Sequence, residues 1–281
     1  MKLQVLPGNP QTHFSVAHPI WILLLSLFSI SCDNIFQYNP NQIVLQDAEK
    51  DLNARNMDRI RQIPKHDTTR FILVGDTQRW YDETKQFVKS ANQQKNIDFV
   101  IHSGDIADFG LTWEFKWINN IMKDLKCPYL TVIGNHDIIA NGSDGYVRMF
   151  GPLNYTMDYG NNKFIFLDTN SREYGFGGFV PDLQLLKVYM ANNPENKNII
   201  VVGHVPPFDA DFDPNLQEQY AGILAENPNV KFTLYGHQHA FKEGEFYQDG
   251  VNYILTTATG EKGYLIVSTW DGAYKVEKVN Y

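Results

Sequence analysis

Residues 99–108 read FVIHSGDIAD, and the way that run ends decides the fold. Phe99, Val100 and Ile101 have strand character, and the strand breaks at Gly104 with a carboxylate, Asp105, directly behind it. The same arrangement recurs four times. FILVG leads into Asp76-Thr77-Gln78, YLTVIG into Asn135-His136-Asp137, NIIVVG into His204, and KFTLYG into His237-Gln238-His239. Ligands of open α/β sheets bind just beyond the carboxyl ends of strands, so five such tips can converge on one spot. A glycine at the tip lets the backbone turn sharply and approach a ligand closely. Asp, Asn and His together offer the mixed oxygen and nitrogen donors that divalent transition metals accept. This inventory exceeds one ion and suits two ions sharing a carboxylate.

Outward from these tips, helical patterns run over Tyr81–Gln93, Thr112–Leu125, Asp182–Asn192 and Leu216–Glu226. Strands alternating with helices predict a layered α/β architecture. The last forty residues, with YILTTATG, GYLIVST and AYKVEKVNY, alternate like an antiparallel meander. Upstream, Asp47 to Ile63 carries Leu52, Met57, Ile60 and Ile63 at roughly helical spacing and stops at Pro64. It reads as an amphipathic helix lying on the outside of the domain. No internal repeat and no second core region is visible, so one domain is expected over residues 67–281.

Composition narrows the function. The chain has 24 basic and 32 acidic side chains, a net charge of −8 and a pI near 5.4. Proteins that grip nucleic-acid backbone are usually basic, so no nucleic-acid polymer is expected as a partner. Cys32 and Cys127 are the only cysteines, which rules out a disulfide framework and Cys-rich zinc modules.

In their order and spacing, the five motifs resemble the calcineurin-like metallophosphoesterase family, whose pattern is D-x-H, G-D-x-x-D, G-N-H-D/E, G-H and G-H-x-H. The resemblance runs from about Phe71 to Ala240. It implies a four-layer β-sandwich flanked by helices in a single domain, and a metal-dependent phosphoric ester hydrolase, either phosphomonoesterase or phosphodiesterase. Carried over position by position, Asp76 and His239 resemble ligands of a first ion, and Asp105 bridges both ions. Asn135, His204 and His237 resemble ligands of the second ion. His136 resembles the general acid that protonates the leaving group after a bridging hydroxide attacks phosphorus, and Asp108 the carboxylate that orients it. Asp137 would sit behind the ligands and tie the His136 loop in place.

Gln78 departs from the pattern, standing where the family most often has His. A Gln carbonyl is a neutral, harder donor than imidazole, so of Mn, Fe, Zn and Mg the first site should favour Mn or Fe. Phe109 stands where serine/threonine protein phosphatases have Arg, and Asp108 where purple acid phosphatases have Tyr, so both subfamilies recede. The expected partner is a small phosphorylated substrate; its alcohol and the oligomeric state stay open. The competing class is a metal- or phosphate-binding protein that keeps the fold without turnover, for which a proton donor at His136 would have no purpose.

Other chemistry-bearing residues read more plainly. His102, inside FVIHSG, is expected as a strand-packing residue, and Cys127 as an inert buried thiol. Asp209, Asp211 and Asp213 in VPPFDADFDP lack the Gly and distal Glu of an EF-hand and are expected in a solvated or substrate-side loop. Arg79 and Trp80 fit either substrate contact or a helix entry. At the N-terminus, Ile20 to Ile30 read IWILLLSLFSI, about half the length needed to cross a ~30 Å hydrocarbon core but right for a signal-peptide apolar region. Ser29-Ile30-Ser31-Cys32 follows and resembles the lipobox of bacterial lipoproteins. Residues 1–31 are therefore expected as a signal peptide. Residues 32–66 would be a tether lipidated at Cys32 plus the amphipathic helix, which places the chain in the bacterial cell envelope on a membrane anchor.

Overall fold

The strand Thr69–Val74 (β1) turns Phe71 and Leu73 to one face and Ile72 and Val74 to the other, and all four are fully buried. A strand apolar on both faces needs cover on both. In the computed structural model, which describes residues 1–4, 8, 39–195 and 197–281, that cover is a second sheet on one side and helices on the other. The chain divides into two compact units, Met1–Pro40 and Asn41–Tyr281. Every element below belongs to the second. The apolar run 20–30 and Cys32 lie outside the described residues. Among the described residues, no helix is long and apolar enough to cross a membrane.

Strands Phe99–His102 (β2) and Tyr129–Thr131 (β3) extend β1 in parallel. Strands Tyr155–Tyr159 (β4), Asn162–Phe166 (β5), Asn198–Val202 (β6), Val230–Tyr235 (β7), Lys242–Gly244 (β8) and Asn252–Leu255 (β9) make the second sheet, in the order β4-β5-β6-β7-β9-β8. The hairpin Gly263–Trp270 (β10) and Ala273–Asn280 (β11) then returns to the first, giving β11-β10-β1-β2-β3. Phe71, Phe99 and Phe164 meet across the seam between the sheets, the first two stacked at 5.4 Å and both edge-on to the third. Edge-on and offset ring pairs are favoured by the aromatic quadrupole, which helps lock the two sheets in register.

Helices Leu52–Arg61 (α1), Tyr81–Ala91 (α2), Thr112–Met122 (α3), Gly142–Met149 (α4), Leu183–Ala191 (α5) and Gln217–Ala225 (α6) complete the set. Phe87 and Val88 of α2 and Phe115 and Ile118 of α3 pack on the outer face of the first sheet. Leu186 of α5 with Tyr220 and Leu224 of α6 pack on the outer face of the second. The result is four layers in one mixed α/β domain, as the sequence pattern and the resemblance imply.

Three details differ from the sequence reading. The segment YILTTATG is not part of a terminal meander: β9 pairs in parallel with β7, in the other sheet from β10 and β11. Its Tyr253, Ile254 and Leu255 are fully buried, so it lacks the exposed face an alternating strand would have. Helix α4 has glycines at positions 142 and 145, which hid it from a propensity reading. Helix α1 belongs to the compact unit that begins at Asn41: buried Asn53 exchanges hydrogen bonds with the Thr131 backbone, and Asn56 donates to the Tyr129 carbonyl. Two asparagines thus fasten the helix to β3.

Candidate active site

The tips of β1, β2, β3, β6 and β7 meet at the seam between the sheets. A backbone bridge between Gly75, after β1, and Ala258, after β9, joins the sheets at that end. Asp76, Asp105 and His204, all buried, present ligand atoms within 4.8 Å of one another. His204 Nε2 lies 3.4 Å from Asp105 Oδ1 and 3.0 Å from Asn135 Oδ1, and His237 Nδ1 lies 3.1 Å from the same Asn135 oxygen. Two metal–ligand bonds of about 2.1 Å at ordinary angles leave their ligand atoms roughly 3.0–3.4 Å apart, so this spacing fits one ion. On the other side of Asp105, His239 Nε2 lies 3.3 Å from Asp76 Oδ1, and the Gln78 amide donates to Asp105 Oδ2 at 3.1 Å. Asp76 Oδ2 and Gln78 Oε1 are buried and have no hydrogen-bond partner among the described residues. A buried acceptor without a donor is costly, and a cation is the partner such oxygens suit.

Local backbone geometry explains why these residue types sit here. Asp76, Asp105, His237 and His239 all adopt left-handed φ, between 52° and 69°. Non-glycine residues tolerate that region poorly, Asn, Asp and His best, and such strain gathers at functional sites. Around them the chain must pass close: a Cβ at Gly134 would collide with the Asp105 amide and carboxylate. One at Gly104, where φ is +94°, would press on the His204 ring.

Behind the ligands lies a dense set of hydrogen bonds. Asp137 is buried and accepts from the amides of Ile106 and Ala107 on one oxygen and from Gly134 on the other. It therefore couples the Asp105 loop to the Asn135 loop, a wider span than the His136 loop alone. Burial and the neighbouring Asp105 charge push its carboxyl pKa up, against the pull of the Ala107 and Gly134 amides. His204 Nδ1 donates to the Ser103 carbonyl at 2.6 Å, which turns Nε2 toward Asp105 and Asn135. Burial resists charge on Asp105 and His204 alike, yet their mutual attraction wins, lowering the carboxyl and raising the imidazole. In chemical terms, the carboxylates of this pocket demand a positive charge. Thr169, just past β5, accepts from the amides of His204 and Val205, and buried Asn170 donates to the Ile133 carbonyl. Nothing in the sequence marked these two, because their partners come from distant strands.

His136 is arranged differently from the sequence expectation. Its Nδ1 lies 3.0 Å from the backbone carbonyl of Asp108 and 3.6 Å from the Asp108 carboxylate. The carboxylate also pairs with the exposed Arg79 guanidinium. His102 does more than pack: its Nε2 meets the Thr77 hydroxyl at 2.9 Å and its Nδ1 accepts from the Gly104 amide. It ties the first two tips together as a neutral ring, since burial, with His204 next, drives its pKa down to about 3. Cys127 is largely buried, and burial raises its pKa to about 11. Asp209 and Asp211 lie on the site side of their loop: their carboxylates stand 3.5 and 3.4 Å from His237 Nε2. Asp213 turns away and accepts from the Gly178 amide.

Comparison with known proteins agrees with this architecture. The family model described as calcineurin-like phosphoesterase matches residues 69–241. The chain belongs to that family. It is 25% identical over 252 residues to the uncharacterized protein YvnB of Bacillus subtilis, covering 75% of this chain and 19% of that one. It is 28% identical over 190 residues to the 3',5'-cyclic adenosine monophosphate phosphodiesterase CpdA of Haemophilus influenzae, covering 62% and 66%. The chain thus spans less than two thirds of either relative's length. Among solved structures, a dimetal phosphatase from Danio rerio superposes with a TM-score of 0.56 at 12% identity, covering 76% of this chain and 99% of that one. That likeness is one of fold.

Proposed function

We propose that this chain hydrolyses a small phosphate ester with two divalent ions held at the seam. Asp76, Gln78, Asp105 and His239 would hold one ion and Asp105, Asn135, His204 and His237 the other. The observation that carries this reading is that two buried oxygens, Asp76 Oδ2 and Gln78 Oε1, have no partner among the described residues and lie beside a candidate ligand set at coordination spacing. When bound, such ions neutralise phosphoryl oxygens and activate water near neutral pH.

The chain's own groups supply the rest. His136, held at its Nδ1 edge by the Asp108 carbonyl, leaves Nε2 to pass a proton to the departing oxygen. Asp108 steadies that loop, and Arg79 balances its charge at the mouth of the site. His102, Ser103, Asp137 and Thr169 hold the ligand-bearing backbone still, which lowers the reorganisation the reaction needs. The phosphodiesterase name of the Haemophilus relative supports a diester as substrate. Assay of the purified protein with Mn²⁺ on bis(p-nitrophenyl) phosphate and p-nitrophenyl phosphate tests this. Faster turnover of the bis-ester is expected, and no metal-dependent release from either compound would reject hydrolysis.

For the N-terminus we propose export and a lipid anchor on Cys32, supported by the short apolar run ending in Ser-Ile-Ser-Cys. Cys32→Ala should leave the precursor unprocessed or release the protein from membranes, and unchanged processing and membrane association would reject the anchor.

A further inference from the structure

His204 and His237 both approach Asn135 Oδ1, but through different nitrogens. His204 points Nε2 at it and ties down Nδ1 with the Ser103 carbonyl. His237 points Nδ1 at it, so its Nε2 faces the other way, toward the loop after β6. There Nε2 stands between two carboxylates, 3.5 Å from Asp209 Oδ1 and 3.4 Å from Asp211 Oδ2. An imidazole that binds a metal carries one proton, and its position decides which nitrogen can coordinate. Two anionic oxygens attract an N–H more strongly than the single neutral amide oxygen of Asn135 that faces Nδ1. We infer that Asp209 and Asp211 are positioning residues that keep the proton of His237 on Nε2, so that Nδ1 is its ligating nitrogen. The inference rests on the proposed metal centre and deepens it.

The loop is built to hold these carboxylates in place. Asp209 Oδ1 also accepts the Asp211 amide, and Asp209 Oδ2 accepts from the Gln238 side chain at 2.6 Å. Gln238 is the residue between the two histidines of the last motif, so the motif carries its own tie to the loop. Arg172 grips both oxygens of Asp211 at 3.0 and 3.1 Å, and its backbone amide donates to the Asp211 carbonyl. Phe212, fully buried, pins the loop to the second sheet. The same two carboxylates with His237 Nε2 also lie close enough together to suggest a cation site of their own. The Arg172 guanidinium already answers the Asp211 charge and Gln238 one oxygen of Asp209, so orienting His237 is the better account.

The test needs no metal for its first arm. Long-range ¹H–¹⁵N spectra of the metal-free, ¹⁵N-histidine-labelled full chain should show His237 protonated on Nε2. A wild-type spectrum with the proton on Nδ1 would overturn the inference even if every variant failed to fold. Asp209→Asn combined with Asp211→Asn should shift the proton toward Nδ1, and should weaken the second Mn²⁺ equivalent about 10–100-fold while sparing the first, the usual cost of losing a group that orients a ligand. Asp211→Glu, which keeps the charge, should lose less. An unchanged tautomer and unchanged second-ion affinity in the double variant would reject it. Three Mn²⁺ equivalents in the wild type falling to two in the double variant would make the cluster a metal site instead, and would also reject it. A wild type that binds no second ion would overturn the metal centre itself, and is told apart because the tautomer is read without any ion.

Discussion

The tips of β1, β2 and β3 contribute oxygen to the candidate site, while those of β6 and β7 contribute nitrogen. Asp76, Gln78 and Asp105 of the first sheet are all at most 3% exposed and sit in a lattice of backbone amides. The imidazoles of the second sheet are graded instead: His204 is fully buried, His237 partly open, and the His239 side chain 48% exposed. The difference teaches a division of labour. The oxygen half carries Asp76 and Asp105, the two carboxylates of the proposed ligand set, and so marks where a cation would sit. The nitrogen half sets how open each position is, with the Asp76–Gln78–His239 side facing solvent. His136, on the oxygen half, stands outside the proposed ligand set.

The sharpest way to break that picture is Asp105→Ala. Its carboxylate faces His204 on one oxygen and the Gln78 amide on the other, members of the two proposed ligand sets, so metal content by elemental analysis should collapse for both ions and turnover should fall to background; full loading would refute the bridging role. Next comes His136→Ala, which should keep both ions but lower kcat on alkyl esters by ~10²–10⁴-fold, the ordinary worth of a general acid. The deficit should shrink on p-nitrophenyl esters, whose leaving group departs without a proton, and an equal deficit on both would move His136 to charge stabilisation. A smaller change sharpens the oxygen–nitrogen contrast: Gln78→His places an imidazole on the oxygen half. Zinc affinity at the more open site should rise several-fold by competition titration, and no change would mean that Gln78 does not reach the ion.

The smallest effect concerns the tie behind the oxygens. The unfolded chain takes up a proton at His102 near its ordinary pKa of 6.5, whereas the folded ring stays neutral down to about 3. Between those values the unfolded state binds more protons, so this group lowers stability as pH falls through that window. His102→Phe should therefore flatten the acid limb of a stability–pH curve between about pH 6.5 and 3, at a cost near neutrality of roughly 1–3 kcal/mol for the Thr77 and Gly104 groups left unpaired. Parallel acid limbs in the two proteins would show that His102 is not the group.

Much of this was legible in the sequence because each strand tip is a local signal: an apolar run, a glycine and a polar donor within ten residues. Helices α2, α3, α5 and α6 were legible for the same reason, to within a few residues at each end. What escaped depended on partners far along the chain. Asp209 and Asp211 look like any acidic loop until His237 is brought against them. That the Asp108 carboxylate also meets Arg79 is hidden, because nothing in the sequence shows Arg79 arriving from the first tip. The placement of β9 was hidden because a strand buried on both faces carries no mark of which sheet it joins.

The seam itself has one more consequence. Because the oxygen donors ride on one sheet and the imidazoles on the other, no stretch of the unfolded chain holds a complete coordination set. On the proposed metal centre, an ion would be gathered only once the two sheets have met. The metals it held would then follow from the cations present where folding finishes as well as from the donor chemistry.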